Sequence, residues 1–365
     1  MHDINILWKL IENGRKGKNI GTSTGLPKLD KIIGGIQPAR YYLISAASSA
    51  GKTALALYLM YSILRNEKKP TYFIYFSLEI GSEILLSKLM ALYCAEEFGV
   101  YLTTNDILSF DTILGDYEYE CLEKAKNWLN SIKEYLIILD SGLSSRILYR
   151  ETITALEKLG RIEDIDGKQI YIPNDPDQKV IGIIDHLALI RLEEGRNLKQ
   201  EMDLASSYMV TLKRKFRISF FVLMQQNRES SSMDRRKADL SEPGLNDTKD
   251  SGSPVQDADV VLQIFYPARE KLTSYRDYKI LGENGMRDTF RSIIISKNRY
   301  GIANQVIGCG FYGQVGWFKE LPPGREIVDF RCYMDIANNI PNKNYNYTLS
   351  KETGTKVPKQ INYTF

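Results

Sequence analysis

Residues 46–53 could hold the phosphates of a nucleotide. They read A-A-S-S-A-G-K-T, which matches the phosphate-loop pattern G-x-x-x-x-G-K-[ST] except that Ala46 replaces the first glycine. Small residues let backbone N–H groups close around a phosphate, and the positive end of the following helix strengthens that binding. The pattern predicts that Lys52 reaches the β- and γ-phosphates and that the Thr53 hydroxyl binds Mg²⁺. The predicted phosphate cradle comprises Ser48, Ser49, Ala50, Gly51, Lys52, Thr53 and Ala54.

Three further polar residues each follow an apolar run, and each has two interpretations. Glu79 follows 71–76 and is a candidate general base for water, or else a solvated helix-capping glutamate. Asp185 follows 180–184 and is a candidate Mg²⁺ ligand, although many strands end in Asp. Gln225 follows 220–224 and could sense the γ-phosphate, or its amide could be satisfied by the backbone. His186 is interpreted as an orienting or packing residue, with no second histidine near it in sequence.

These residues need a parallel sheet to bring them together at one edge. Apolar runs predict strands at 41–45, 71–76, 135–140, 180–184, 220–224, 260–265, 291–296 and 305–310. Helical spacing predicts helices near 3–13, 55–64, 82–97, 117–132, 147–160 and 200–217. Alternating strands and helices, with a phosphate loop and acid-ended strands, imply an α/β ATPase.

Three segments fall outside this alternation. Residues 160–179 are predicted to be an irregular insertion with a hairpin turn at 166–167. Residues 229–254 lack apolar periodicity and predict a surface loop. Its basic residues could contact nucleic-acid phosphates or could simply be solvated; they are Arg235, Arg236, Lys237 and Lys249. The C-terminal residues 331–365 are predicted to be a polar tail.

Composition excludes little. The 365 residues carry 48 Lys plus Arg against 45 Asp plus Glu, so the net charge of +3 does not itself indicate nucleic-acid binding. Four scattered cysteines and two histidines argue against a zinc cluster and favour free thiols. No signal peptide or membrane-span pattern is present, which predicts a soluble, cytoplasmic protein.

The N-terminal residues 1–14 predict a short amphipathic helix, with Ile4, Leu7, Trp8 and Ile11 on one face. So short a helix must dock on something. The flexible, basic linker at 15–21 allows docking on a neighbouring subunit, and docking on its own domain is the alternative. The ATPase domain is then predicted to span 22–330.

Seven sequence blocks in a fixed order point to a known family. They are T-G-L-P-K-L-D-K-I-I-G-G-I-Q-P (24–38), the phosphate loop, F-S-L-E-I (76–80), I-I-D-H-L-A-L-I (183–190), Q-Q-N-R (225–228), L-N-D-T-K-D-S-G-S-P-V-Q-D-A-D-V-V-L (245–262) and S-K-N-R-Y-G (296–301). Over roughly 22–312 the chain resembles the RecA-like motor domain of DnaB-type hexameric replicative helicases. The last two blocks are the specific part, because generic RecA-like ATPases share only the earlier ones.

The resemblance implies a RecA-like P-loop NTPase with a central, mostly parallel sheet flanked by helices. It implies ATP and Mg²⁺ as cofactors, with Lys52 and Thr53 on phosphate and metal, Glu79 as the base and Asp185 supporting the metal. It further implies that Gln225 links the γ-phosphate to a DNA-binding loop. Arg299, with Lys297, would be the finger that completes a neighbouring subunit's site.

The resemblance also implies partners. Lys249, Asp250 and Gly252 match the loop that grips single-stranded DNA, with Arg235 and Arg236 as further candidate DNA contacts. The family is a homohexamer that moves 5′ to 3′ and works with primase and a helicase loader. The chain looks like a short, phage-like form without the family's N-terminal domain, which would make residues 1–14 the linker helix that docks on the adjacent subunit. The alternative is a RecA, RadA or KaiC-like DNA-dependent ATPase or recombinase without processive unwinding.

Overall fold

The computed structural model describes residues 4–110, 113–140, 142–165, 167–227, 242–248 and 252–336. Its helices are α1 (Ile4–Arg15), α2 (Pro27–Ile33), α3 (Lys52–Asn66), α4 (Ser82–Phe98), α5 (Thr104–Ile107), α6 (Asp116–Ile132), α7 (Ser145–Leu159), α8 (Leu198–Phe216), α9 (Gly252–Asp257) and α10 (Arg331–Met334). Its strands are β1 (Tyr41–Ala46), β2 (Thr71–Ser77), β3 (Leu136–Leu139), β4 (Gly160–Ile165), β5 (Lys168–Pro173), β6 (Lys179–Asp185), β7 (Ser219–Gln225), β8 (Val260–Phe265), β9 (Ser274–Tyr275), β10 (Tyr278–Lys279), β11 (Phe290–Asn298), β12 (Gln305–Tyr312) and β13 (Trp317–Glu320).

A nine-stranded sheet organises the domain, in the order β13-β12-β11-β8-β1-β7-β6-β2-β3. The six strands from β8 to β3 pair in parallel, and β11, β12 and β13 extend the sheet antiparallel. The predicted α/β class and the mostly parallel sheet flanked by helices are therefore confirmed. The two turns that link β11, β12 and β13 are short, and short turns can join only antiparallel neighbours.

Helices cover both faces of the sheet, so its central strands are buried on both sides. In β1, Tyr42 and Ile44 pack into the core that contains α3 and α4, whereas Tyr41 and Leu43 pack into the core that contains α7 and α8. All six residues of β1 are buried, as its continuous apolar run predicts. This burial fixes the strand that leads into the phosphate loop.

The 160–179 segment is more regular than the sequence predicts. Strands β4 and β5 form an antiparallel hairpin in register from Gly160↔Pro173 to Ile165↔Lys168, which confirms the predicted turn position at 166–167. The prediction of an irregular insertion was wrong, because alternating apolar residues such as Ile162 and Tyr171 pack against the core that contains α7 and α8.

Two other segments differ from expectation. Residues 252–254 were predicted to belong to a surface loop, but they begin α9, which packs on α8. Residues 331–336 were predicted to start the polar tail, but Met334 and Ile336 are buried in the domain. The remainder of the predicted tail, 337–365, lies outside the described residues.

Candidate nucleotide-binding site

The phosphate loop connects β1 to α3, as the sequence predicts. Gly51 stands immediately before α3 with φ of 103°, a conformation that side-chain-bearing residues rarely adopt. A Cβ at this position would lie 3.1 Å from Phe311 Cζ and 3.4 Å from Phe318 Cζ. The loop therefore packs so closely on the antiparallel strands that both its conformation and its space require glycine.

Two arginines that sequence reasoning missed hold the carbonyl side of this loop. Arg291 Nε donates to Ala50 O at 2.9 Å, and Arg269 Nη1 donates to Ser48 O. The Arg291 guanidinium lies 3.4 Å from the ring centre of Tyr266, and its burial lowers the pKa of Arg291 to about 10. These two contacts occupy the Ala50 and Ser48 carbonyls, and the Ala50 N–H donates to Ala47 O at 3.1 Å, so the other N–H groups of the loop are the candidates to bind an anion. The one available sequence signal concerned Arg291, a charged residue at the start of an otherwise apolar strand.

Asp185 is the centre of the site. It is fully buried at the end of β6, where Thr53 Oγ1 donates to Oδ1 at 3.2 Å and Tyr75 Oη donates to Oδ2 at 2.8 Å. Lys52 Nζ lies 3.9 Å from Oδ1. Burial lowers the pKa of Lys52, and the nearby carboxylates of Asp185 and Glu79 oppose that shift. The contact with Tyr75 was not foreseen, because a tyrosine in an apolar strand is ordinarily interpreted as part of the core.

The donor set at Asp185 suits Mg²⁺. The Thr53 hydroxyl and the Asp185 carboxylate place two hard oxygen atoms side by side, and Mg²⁺ prefers oxygen ligands completed by water and phosphate oxygens. Two protein oxygens are enough, since Mg²⁺ in such sites retains several waters.

Glu79 follows β2 at the same edge, because Ser77 is paired with Asp185 and Leu78 N donates to Asp185 O at 2.7 Å. Its carboxylate Oε2 lies 3.9 Å from Nε2 of His186, and its side chain is 49% exposed. An exposed carboxylate beside the phosphate loop can reach water, as a general base must. His186 is buried and faces Glu79, which agrees with its interpretation as an orienting or packing residue.

Gln225 also reaches this edge, where it is paired with Ala46. The next residue, Gln226, makes the buried contacts: its Nε2 donates to Ser45 Oγ at 3.2 Å, and it bridges to Thr248. Thr248 Oγ1 in turn donates to Ser45 Oγ at 3.2 Å. The strand that leads into the phosphate loop is thus joined to the chain just before Lys249, through Gln226 rather than Gln225.

The structure does not bring Lys297 and Arg299 to the phosphate loop of their own chain. Asn298 is paired with Val260, and Val260 is paired with Tyr42, whereas the loop begins beyond Ala46. The length of strand from Tyr42 to Ala46 puts about 13 Å between the two edges. Lys297 and Arg299 therefore lie at the amino edge of the parallel strands, opposite the nucleotide-binding edge.

Of the predicted DNA-binding residues, only Gly252 is described, and it begins α9 against Lys199 and Asp203 of α8. Lys249, Asp250, Arg235 and Arg236 lie outside the described residues. In the part of the chain that the structure covers, all four cysteines are free thiols and no helix combines the length and apolarity needed to cross a membrane.

The fold and the site define a RecA-like P-loop domain, and a family comparison makes this specific. Residues 21–320 match the family described as "DnaB-like helicase C terminal domain". The chain belongs to this family, which confirms the family resemblance drawn from the sequence.

Known proteins agree with this assignment. The replicative DNA helicase DnaB of Pasteurella multocida is 28% identical over 316 residues, which cover 85% of this chain and 57% of that protein. The chain thus spans little more than half the length of this relative. Two solved structures share the fold at 20% identity, and each match covers 88% of this chain. One is described as an ATPase domain; it has a TM-score of 0.69 and is covered over its whole length. The other, a DnaB-like replicative helicase described with its interactions with primase, has a TM-score of 0.67 and is 67% covered.

Proposed function

We propose that this protein is an ATP-driven replicative DNA helicase that moves 5′ to 3′ on single-stranded DNA and separates the duplex at a replication fork. The observation that carries this proposal is the convergence of Lys52, Thr53 and Tyr75 on the buried carboxylate of Asp185, in a chain of the DnaB-like family. The groups proposed to act within one subunit, Lys52, Thr53, Glu79, Asp185 and Gln225, follow strands that end at the same edge of the sheet.

In this proposal the loop residues bind the phosphates of ATP through their N–H groups, and Lys52 supplies positive charge to the β- and γ-phosphates. Thr53 and Asp185 would hold Mg²⁺, which would neutralise phosphate charge. Glu79 accepts a proton from the attacking water, and Gln225 contacts the γ-phosphate. Glu79 is suited to this role because its carboxylate is exposed and follows β2 at the same edge as Asp185.

The proposed assembly is a homohexamer in which Arg299 and Lys297 complete the site of the adjacent subunit. The support is their place at the amino edge, away from their own phosphate loop, together with the 45% exposure of the Arg299 side chain. A charged finger at one edge and a phosphate loop at the other suit a head-to-tail ring, in which unlike surfaces meet.

Helix α1 is proposed to dock on the adjacent subunit. Its apolar face is exposed in the single chain, with Ile4 at 77%, Leu7 at 58% and Trp8 at 61%. An isolated amphipathic helix of this length is marginal in water unless its apolar face packs on a surface. The basic residues that follow, among them Arg15, Lys16 and Lys18, are also exposed.

Single-stranded DNA is proposed to bind in the central channel of the hexameric ring. The residues proposed to contact it are Lys249, Asp250, Gly252, Arg235 and Arg236. The bridge from Gln226 to Thr248 would connect that segment to the phosphate loop. Primase is a proposed partner, since one structural neighbour is described together with its interactions with primase. A helicase loader is proposed from the family resemblance alone. The proposed location is the cytoplasm.

The deciding experiment measures ATP hydrolysis with and without single-stranded DNA, in parallel with the unwinding of a forked duplex. The expected result is hydrolysis that single-stranded DNA stimulates, together with unwinding that requires a 5′ tail. Strand exchange without unwinding would instead favour the recombinase or KaiC-like alternative. Hydrolysis that is indifferent to DNA would contradict both interpretations.

A further inference from the structure

The Q-D-A-D segment, 256–259, contains a buried carboxylate for which the proposed mechanism has no use. Asp259 is 1% exposed. Its Oδ2 accepts a hydrogen bond from Tyr41 N at 2.9 Å and pairs with Lys213 Nζ at 2.5 Å. Its Oδ1 lies 3.5 Å from Arg299 Nη1, and its carbonyl accepts the Arg299 N–H at 2.9 Å.

The carboxyl end of α9 holds the same finger residues from another side. Lys297 Nζ donates to the carbonyls of Val255 and Gln256, each at 2.8 Å. Arg299 Nη2 donates to Gln256 O at 2.7 Å. These carbonyls carry the negative end of a helix, where cations bind favourably.

Helix α9 is itself fastened to α8. Ser206 Oγ donates to Asp257 Oδ2 at 2.7 Å, and Ser253 N donates to Asp203 Oδ1 at 3.2 Å. In β11 a register shift between Ile295 and Lys297 marks a bulge just before the finger residues. Bulges of this kind redirect side chains near functional sites. The finger, α9 and α8 therefore form one connected unit.

We propose that Asp259, together with the carboxyl end of α9, is the positioning element that orients Arg299 and Lys297 toward the phosphates bound by a neighbouring copy of the chain. This inference rests on the proposed function. Asp259 touches no phosphate itself, so it is a positioning residue and not a catalytic one. A guanidinium has five N–H donors, so the contacts with Asp259 and Gln256 leave others for an anion.

The physical reason is preorganisation. A free surface arginine has many rotamers, and fixing them at the moment of reaction costs entropy. Contacts on two sides of the guanidinium remove most of that cost in advance. Because α9 begins two residues after Asp250, the same unit also connects the proposed DNA-binding segment to the neighbour's ATP site.

The test is Asp259→Asn, which keeps the shape and the acceptor for Tyr41 N–H but removes the charge. We expect the kcat of DNA-stimulated ATP hydrolysis to fall about 10- to 100-fold, the cost of a misplaced group, with KM for ATP within about threefold. The loss should act in trans. Mixing Asp259→Asn subunits with Glu79→Gln subunits should restore part of the activity, because the former keep the base and the latter keep the finger. An unchanged kcat, or no recovery on mixing, would overturn the inference.

A mixture of Arg299→Ala and Glu79→Gln subunits separates this inference from the proposed function. If that mixture recovers activity and the Asp259→Asn mixture does not, Asp259 has only a structural role. If neither mixture recovers, the trans finger itself is wrong.

Asp259→Asn leaves Lys213 without its buried partner and could prevent folding, so a second variant keeps the inference testable. Ser206→Ala removes one hydroxyl that fastens α9. We expect about a threefold lower kcat with DNA, recovered by mixing with Glu79→Gln. Thr211→Ala, on the same helix with its hydroxyl on Ser207 O at 3.0 Å, is the matched control and should match the unmodified protein. Equal kcat values for Ser206→Ala and Thr211→Ala would count against the inference.

Discussion

The two edges of the central sheet carry different chemistry. At the carboxyl edge, Lys52 and Thr53 lie against the buried Asp185, and Glu79 is close enough to affect the pKa of Lys52. At the amino edge, Lys297 and Arg299 contact the carbonyls of α9, and Arg299 also contacts the Asp259 carboxylate; these are groups that can position them. The carboxyl edge holds the phosphate loop, and the amino edge holds the cationic side chains that are proposed to act as the finger. Under the proposed function, each edge is half of a site.

The largest effect should come from breaking the carboxyl edge with Lys52→Ala. Loss of the cation that stabilises phosphate charge should lower kcat for ATP hydrolysis by about 10³-fold or more. Folding should survive, because Thr53 and Tyr75 continue to donate to Asp185. Steady-state ATPase assays and a thermal melt measure the two quantities.

Lys69→Ala is the matched control for this change. Lys69 is an exposed lysine paired with Asp177 at 3.1 Å, and it lies just before β2 begins, at the amino edge opposite the phosphate loop. It should retain full activity, since exposed ion pairs contribute little. If Lys52→Ala hydrolysed ATP at the normal rate, the assignment of ATP hydrolysis to the carboxyl edge would be wrong.

The next effect tests whether the two edges belong to different subunits. Arg299→Ala alone should lower kcat by about 10³-fold, the contribution of an arginine finger in P-loop NTPases. Mixed in equal amounts with Lys52→Ala subunits, it should recover up to about one quarter of the full rate, the share of head-to-tail interfaces that combine two intact halves.

A same-edge mixture is the control for that recovery. Lys52→Ala and Glu79→Gln both damage the carboxyl edge, so no interface between them has an intact phosphate site. ATPase assays on this mixture should show no activity above the separate variants. Equal recovery in both mixtures would contradict the explanation by complementary edges.

Local features and long-range contacts of the site differ in how far they could be predicted. The phosphate loop, Asp185 and Glu79 follow from local patterns, because a buried strand and the turn after it fix where their side chains lie. The contacts of Tyr75, Arg291 and Asp259 join residues that are distant in sequence, and no local pattern encodes them. The regular β4–β5 hairpin was missed for a similar reason, since its packing against the core depends on residues that are distant in sequence.

A smaller effect is expected from substitutions in α1. They test whether docking of this helix on the adjacent subunit brings the two edges together. Leu7→Ser with Trp8→Ser removes two exposed apolar side chains from its face. Loss of such anchors typically costs more than about 1 kcal/mol each, so ring assembly should shift to at least about tenfold higher concentration. Sedimentation velocity over a concentration series measures this. Lys9→Ser, on the opposite face of the helix, is the control and should leave assembly unchanged. If the double variant assembled as the unmodified protein does, α1 would be interpreted as docking on its own domain and not on the adjacent subunit.

The smallest effect should come from Tyr75→Phe, which removes one donor from Asp185 and leaves every group that meets the nucleotide. Burial, and secondarily Asp185, raise the pKa of Tyr75 well above its usual value, so its hydroxyl keeps its proton and donates at any ordinary pH. Losing this bond to a buried carboxylate should lower the free energy of unfolding by about 1–3 kcal/mol, measured by denaturant titration. The kcat should change only a few-fold, because Thr53 still holds Oδ1. Tyr72→Phe, three residues earlier on β2 and farther from Asp185, is the control and should alter neither quantity. If Tyr75→Phe lowered kcat as much as Lys52→Ala, the tyrosine would belong to the reaction itself, and the carboxyl edge would need a different chemical description.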